Sequence, residues 1–301
     1  MSSQPRHTAF DEAMNLIQQD KKERLEMLTR VEKEIDRVTK GTLAAQLTAL
    51  SALKTDLLVK SELNDPAVRQ NFENNKVDMS KPVYRYLSQR QFNNFLRPKL
   101  LERVTQMSVV PDLVDVGVQP QVQINVQLPN QSFEPGDIVT PDLTTSLPTI
   151  NITNYHTDSR LYTILLVDPD SPDVTNKTYQ QYCHWMITNV ELSATESQVQ
   201  GGQTVLAYQP PHPQKGTKKH RYTWIAYEQP TKIDVTPMSR DGFNTKAFAQ
   251  QHSLVTRGVN FVRQQWDASV SDIYKDILGI QEPIYGKPPK VEHYIQRHVY
   301  I

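Results

Sequence analysis

Cysteine is almost missing from this sequence: Cys183 is the only one in 301 residues. A single thiol can form neither an intramolecular disulfide nor a cysteine-based zinc cluster, and a reducing compartment suits such a chain. Net charge is missing as well, since 33 Lys and Arg balance 33 Asp and Glu. That excludes a chain whose main work is neutralising many phosphates, although local basic patches stay open. No apolar run reaches the roughly 18 residues of a membrane span. The first residues, MSSQPRHTAFDEAM, carry no secretory signal. Nor are they the Arg-rich, acid-poor stretch of a cleaved transit peptide. Catalytic equipment is sparse too. No nucleophile or metal-ligand set stands at convincing spacing, so no enzyme activity, catalytic residue, cofactor or metal is expected. Cys183 beside His184 does not change this, because neighbours on a strand face opposite ways.

What the sequence does contain begins with a charged helical stretch from Phe10 to about Val38. Leu28, Val31, Ile35 and Val38 recur at spacings of three and four, a thin apolar seam among interleaved acids and bases. A helix this polar docks on something, either its own globular domain or a partner protein. Gly41 punctuates, and Leu43, Leu47, Leu50 and Leu57 continue a stripe on a second helix. Ser61 to Val77 reads as irregular, broken by Asn64-Asp65-Pro66. Ser80 then stands as a helix cap with Pro82 in the first turn. The following residues 83–96 are aromatic and basic. They are the best local candidate for an RNA contact, against the alternative of a helix that packs its Tyr and Phe inward.

After Pro111 the period changes to two. Val122, Ile124, Val126 and Leu128 alternate with glutamines and an asparagine, which predicts a half-buried strand. Glu134–Asp137 reads as a turn out of which Ile138–Thr140 leads, and further strands are expected at 148–153, 161–167, 183–190, 204–208, 222–227 and 258–262. Short helices are expected at 246–252 and 269–278. The architecture implied is mainly β, a sandwich with small peripheral helices. It divides into an α-helical extension over 1–110, a β-sandwich over 111–280 and a Pro-rich tail over 281–301 that runs extended along some surface.

The strand from Leu161 to Val167 ends in Asp168-Pro169-Asp170-Ser171-Pro172, where two prolines and two carboxylates should stop the ladder and turn the chain. Two acids at one strand end and His184 on the next strand predict a polar pocket at a sheet rim. Lys215-Gly216-Thr217, then His220-Arg221-Tyr222, follows before another strand. Together these two segments resemble the signatures of the phosphatidylethanolamine-binding protein family, in order and at fitting separation. The resemblance runs from about Val122 through Trp266 and implies that family's β-sandwich. It also implies an anion pocket at one rim, with Asp168, Asp170, Pro172, His184, His220 and Tyr222 at pocket positions.

One departure stands out. The family's Gly-x-Gly-Pro-Pro run before Lys-Gly-Thr is Pro210-Pro211-His212-Pro213-Gln214 here. Both glycines are lost, and three prolines supply no N–H. The pocket is therefore expected to be vestigial and to hold no phosphorylated ligand. The helical extension and Pro-rich tail look like those of the family branch that builds the mitochondrial large ribosomal subunit. That likeness implies a scaffold in its central protuberance, within the matrix, with neighbouring ribosomal proteins and rRNA as partners. The alternative is a soluble ligand-binding protein or an inhibitor of a protease or kinase.

Overall fold

In the computed structural model the described residues are 8–39, 44–129 and 131–286. They fall into two compact units, one drawn from Met1–Lys99, Thr153–Ser159 and Leu192–Ser197, the other from Leu100–Ile152, Arg160–Glu191 and Gln198–Ile301. Most of the Pro-rich tail, residues 287–301, lies outside the described residues.

The first unit is helical. Thr8 and Asp11 cap helix α1 (Ala9–Thr39) reciprocally: the Asp11 carboxylate accepts from Thr8 N at 3.0 Å, and the Thr8 hydroxyl accepts from Asp11 N. The seam residues Leu28, Val31, Ile35 and Val38 are half-buried and face helix α2 (Ala44–Glu62). Lys21 pairs with Asp65 and Lys54 with Glu32, so residue numbers fall on one side as they rise on the other: the helices are antiparallel. The thin stripe thus finds its partner in the next helix of its own chain.

Asn64-Asp65-Pro66 starts a helix instead of ending order. Asp65 accepts from Ala67 N at 3.0 Å, and Pro66 occupies the first turn of α3 (Pro66–Glu73), where its missing N–H costs nothing. Ser80 does not cap α4 (Pro82–Gln91). The cap position is Lys81, and the Ser80 hydroxyl donates to Asp78 instead. A π turn over Phe92–Leu96 follows, closed by Arg97 N donating to Phe92 O.

Helix α5 (Arg97–Gln106) and the short α6 (Val109–Asp112) lead into the β unit. Strands β1 (Gln123–Gln127) and β2 (Thr149–Thr153) form one ladder. The larger sheet has the order β5-β4-β3-β6-β7, from Gln203–Leu206, Thr178–Leu192, Arg160–Asp173, His220–Glu228 and Val255–Gln264 respectively. β3 is central, and Ile164, Leu165, Leu166 and Val167 are all fully buried, which is why its sequence reads as an unbroken apolar run. Helix α7 (Thr245–Gln251) contributes Phe248 to the core. Helix α8 (Ala268–Asp272), continued by a π turn over Ile273–Leu278, closes the unit. Gly258 lets β1 approach: a Cβ there would lie 2.8 Å from the Val122 side chain. Ile138–Thr140 makes a single bridge to Arg263 and no strand.

β3 does not stop at Asp168. It runs to Asp173, through both prolines. Its register with β6 ends at the Val167–Thr223 pair, so Pro169 and Pro172 lie past the β6 ladder. Side chains replace the lost pairing. Asp168 accepts from Asp170 N at 2.8 Å, and Asp170 accepts from Arg221 N at 2.9 Å.

Candidate functional site

The end of β3, the start of β6 and the middle of β4 bring Asp168, His220, Tyr222 and His184 into one buried cluster. Asp168 Oδ2 is 2.7 Å from His220 Nδ1. On the other side of that ring, Nε2 is 2.8 Å from the Thr217 hydroxyl. Thr217 donates its own proton to Gln214 O at 2.7 Å, so towards His220 it accepts. With that proton on Gln214 O, both ring nitrogens of His220 are placed to donate, an arrangement that favours the imidazolium. Burial alone would hold its pKa down. The Asp168 carboxylate, by charge and by hydrogen bond, outweighs that and raises it.

The other two imidazoles are neutral. His184 Nδ1 faces Gln209 O at 3.2 Å and His212 Nδ1 faces Pro210 O at 2.7 Å. A carbonyl only accepts, so each Nδ1 carries a proton, and because burial favours the uncharged ring, Nε2 is left as an acceptor. Burial lowers both pKa values, that of His184 well below the ordinary imidazole value, and the neighbouring His212 adds to the effect on His184.

His212 sits where the sequence lost its glycines. Its ring meets His184 edge-on with centroids 4.9 Å apart, and it is covered by Tyr274 at 5.3 Å and Tyr182 at 5.5 Å. Tyr274 also donates to His212 O, so the C-terminal π turn holds the loop down. The cluster is thus filled by the chain's own rings. It also offers an anion very little. His220 has spent both protons, His184 and His212 present acceptors, and Pro210, Pro211 and Pro213 have no N–H. Among the described residues the buried Tyr222 hydroxyl makes no hydrogen bond of good geometry, and burial, then the Asp168 carboxylate beside it, push its pKa up.

Asp170 turns away from this cluster to Arg221. The guanidinium clamps Asp170 through two bonds of 2.8 Å and reaches Asp112 at 2.8 Å and Met107 O at 2.9 Å. Pro172 is half-buried on the β3 continuation. Cys183 packs in the hydrophobic core, where burial pushes its thiol up to about 12, so it is no nucleophile. Arg240 donates to Cys183 O, His184 O and Ala207 O, at 3.0, 2.9 and 2.7 Å, and so fixes the strand that carries His184. Arg240 and Tyr274 left no signal in the sequence, Arg221 stood in the signature segment without a role assigned to it, and His212 appeared only as the residue standing where glycines were expected. Among the described residues no group of three or more His, Cys, Asp or Glu is placed to hold a metal ion, and no helix is long and apolar enough to cross a membrane.

The first residues of the tail lie on the same rim. Ile284 bridges to Lys215, and Tyr285 N donates to Lys215 O at 2.7 Å. Glu282 accepts from Trp266 Nε1 and, at 2.7 Å, from Ser271. Lys215 Nζ stands 4.3 Å over the Trp266 ring. Gly216, at φ +92°, is required by this contact, since a Cβ would fall 1.4 Å from Tyr285 O.

Sheet, rim cluster and loop define the fold of the phosphatidylethanolamine-binding proteins, and residues 119–262 match the family model described as "Phosphatidylethanolamine-binding protein". The solved carboxypeptidase Y inhibitor, crystallised with its cognate proteinase, superimposes with a TM-score of 0.50 at 22% identity, covering 58% of this chain and 100% of that one. The chain is 25% identical over 219 residues to the large ribosomal subunit protein mL38 of Schizosaccharomyces pombe, covering 70% of this chain and 71% of that protein. To the rice (Oryza sativa subsp. japonica) protein MOTHER of FT and TFL1 homolog 2 it is 29% identical over 150 residues, 48% of this chain and 82% of that one.

Proposed function

We propose that this protein is a structural component of the mitochondrial large ribosomal subunit, built on the phosphatidylethanolamine-binding fold and without enzymatic activity. The observation that carries the proposal is the reach of its likeness to mL38. That likeness spans 219 residues, against 150 for the rice relative, so it extends well outside the 119–262 domain. The cluster geometry supports the same reading: a rim filled by His212 and nearly free of anion donors suits a scaffold better than a headgroup receptor. The helices of residues 1–110 and the tail of 281–301 then serve as arms. They grip neighbouring ribosomal proteins and rRNA in the central protuberance, while the sandwich of 111–280 holds them in place.

Gradient sedimentation tests this. Tagged full-length protein from mitochondrial lysate is expected in the large-subunit fractions, and removal of residues 1–60 is expected to leave a folded sandwich that stays at the top of the gradient. Full-length protein found only at the top, with measurable affinity for phosphorylated headgroups that His184→Ala abolishes, would establish the ligand-binding alternative instead.

A further inference from the structure

The helical unit carries a groove of about 390 Å³ beside α3 and α4, floored by Phe72 and Leu87 and edged by Arg69, Arg90, Asn94 and Phe95. Phe95 is 70% exposed. Its exposure has a structural cause. In an ordinary α-helix Phe92 and Phe95, three residues apart, would share a face. The π turn between them, closed by the Arg97–Phe92 bond, widens the helix and separates them. Phe92 goes inward against Tyr155, with centroids 6.0 Å apart, and Phe95 goes out to water over the groove.

Charge around this aromatic is one-sided. Between Asp78 and Glu102 lie 23 residues without a carboxylate, containing Lys81, Arg85, Arg90, Arg97 and Lys99, in a chain whose net charge is zero. The side chains of Arg90, Gln91 and Asn94 take part in no hydrogen bond or ion pair within the described residues. Glu73 is the one carboxylate lining the groove. An open aromatic face, free amides beside it, the unengaged guanidinium of Arg90 and that of Arg69, whose Nε alone is spent on Leu63 O at 3.2 Å, are what an unpaired nucleotide requires: a stacking surface, partners for a base edge, and cations for phosphate.

We infer that this groove binds single-stranded RNA, with a base stacked on Phe95 and the flanking phosphates held by Arg90 and Arg69. The inference deepens the ribosomal reading by naming the RNA-contacting face, and it rests on that reading for its biological setting.

The test uses the full chain and a fluorescein-labelled oligouridylate of about a dozen nucleotides, a length matched to typical single-strand sites. Binding is followed by anisotropy across a salt series. Phe95→Ala, at an exposed position, is expected to weaken binding by roughly five-fold or more, the usual loss for one stacked base. Arg90→Ala is expected to lower the slope of log affinity against log salt by about 0.7, the value for one phosphate contact on a single strand. Both variants should melt with the parent protein. No binding at low salt, or binding indifferent to Phe95→Ala, overturns the inference while leaving co-sedimentation with the large subunit untouched. A photocrosslinker replacing Phe95 in assembled subunits is expected to label RNA. Labelling of a protein instead would give the groove to a peptide and overturn it equally.

Discussion

Gly216→Ala offers a test that the structure makes quantitative. The new Cβ would lie 1.4 Å from Tyr285 O and 2.5 Å from Tyr285 C, and no rotamer can move a Cβ. Either the Lys215–Thr217 loop distorts or segment 281–286 leaves. Leaving costs the Tyr285–Lys215 bond, about 1 kcal/mol, and the two bonds to the Glu282 carboxylate, about 1.5–3 kcal/mol each. It returns backbone freedom to about six residues at roughly 1–2 kcal/mol apiece. These quantities are of the same order, so detachment is the cheap outcome and global unfolding is not. Left-handed backbone at residue 216 adds about 1–2 kcal/mol of strain in the sandwich itself, a drop in Tm of roughly 2–4 °C per kcal/mol. The assay is hydrogen exchange at the Tyr285 amide together with Trp266 emission, because Trp266 loses its bond to Glu282. The variant is expected to lose protection at Tyr285 and shift the emission while melting within several degrees of the parent. Unchanged exchange and emission would refute the close approach.

Three further outcomes follow from the cluster. His184 and His212 have folded pKa values below the unfolded value of about 6.5, so their stabilisation is present above that pH and is lost as pH falls through the folded values. His220 is raised, so its contribution is full below about 6.5 and is lost as pH rises through its folded value. Melting temperature measured against pH should therefore decline on the acid side less steeply in His212→Phe, and on the alkaline side less steeply in Asp168→Asn. Arg221→Ala strands Asp170 and Asp112; with the Arg221 side chain only 15% exposed, a loss of about 3 kcal/mol is expected by denaturant titration. Arg221→Lys should recover little of it, because an ammonium cannot reproduce the two-bond clamp on Asp170. Phosphate titrated into the His212→Ala variant should still bind weakly, since the substitution opens space but adds no donor.

Much of this was legible in the sequence because the signals were local. The seam from Leu28 to Val38 gave α1, the alternation at Val122–Leu128 gave β1, and the apolar run Leu161–Val167 gave the central strand. The prolines at 169 and 172 misled for a physical reason. A proline ends a ladder only on the side where its N–H would have paired, and β3 had already finished pairing with β6 at Val167. Asn64-Asp65-Pro66 misled because the same three residues break one helix and cap the next. Of the aromatic and basic stretch, half packs and half does not: Tyr84 and Phe92 are buried, while Tyr86 and Phe95 are exposed. Tyr84 and Tyr86, two residues apart on α4, divide by ordinary helical period, whereas no periodicity could foretell the division of Phe92 from Phe95, since it is set by a π turn. The anchors of the rim were hidden for another reason. Arg221 reaches Asp112 across 109 residues and Tyr274 reaches His212 across 62, and such pairings exist only once the sheet has formed.

The central proposition is that the arms matter and the old rim cluster does not. It is tested most directly by replacing the cell's own copy with His184→Ala or with the chain lacking residues 1–60, each confirmed to be folded, and measuring assembled mitochondrial large subunits on a gradient. The account predicts a normal large-subunit peak with His184→Ala and a depleted one without the helices. A depleted peak with His184→Ala, or a normal one without residues 1–60, would contradict it.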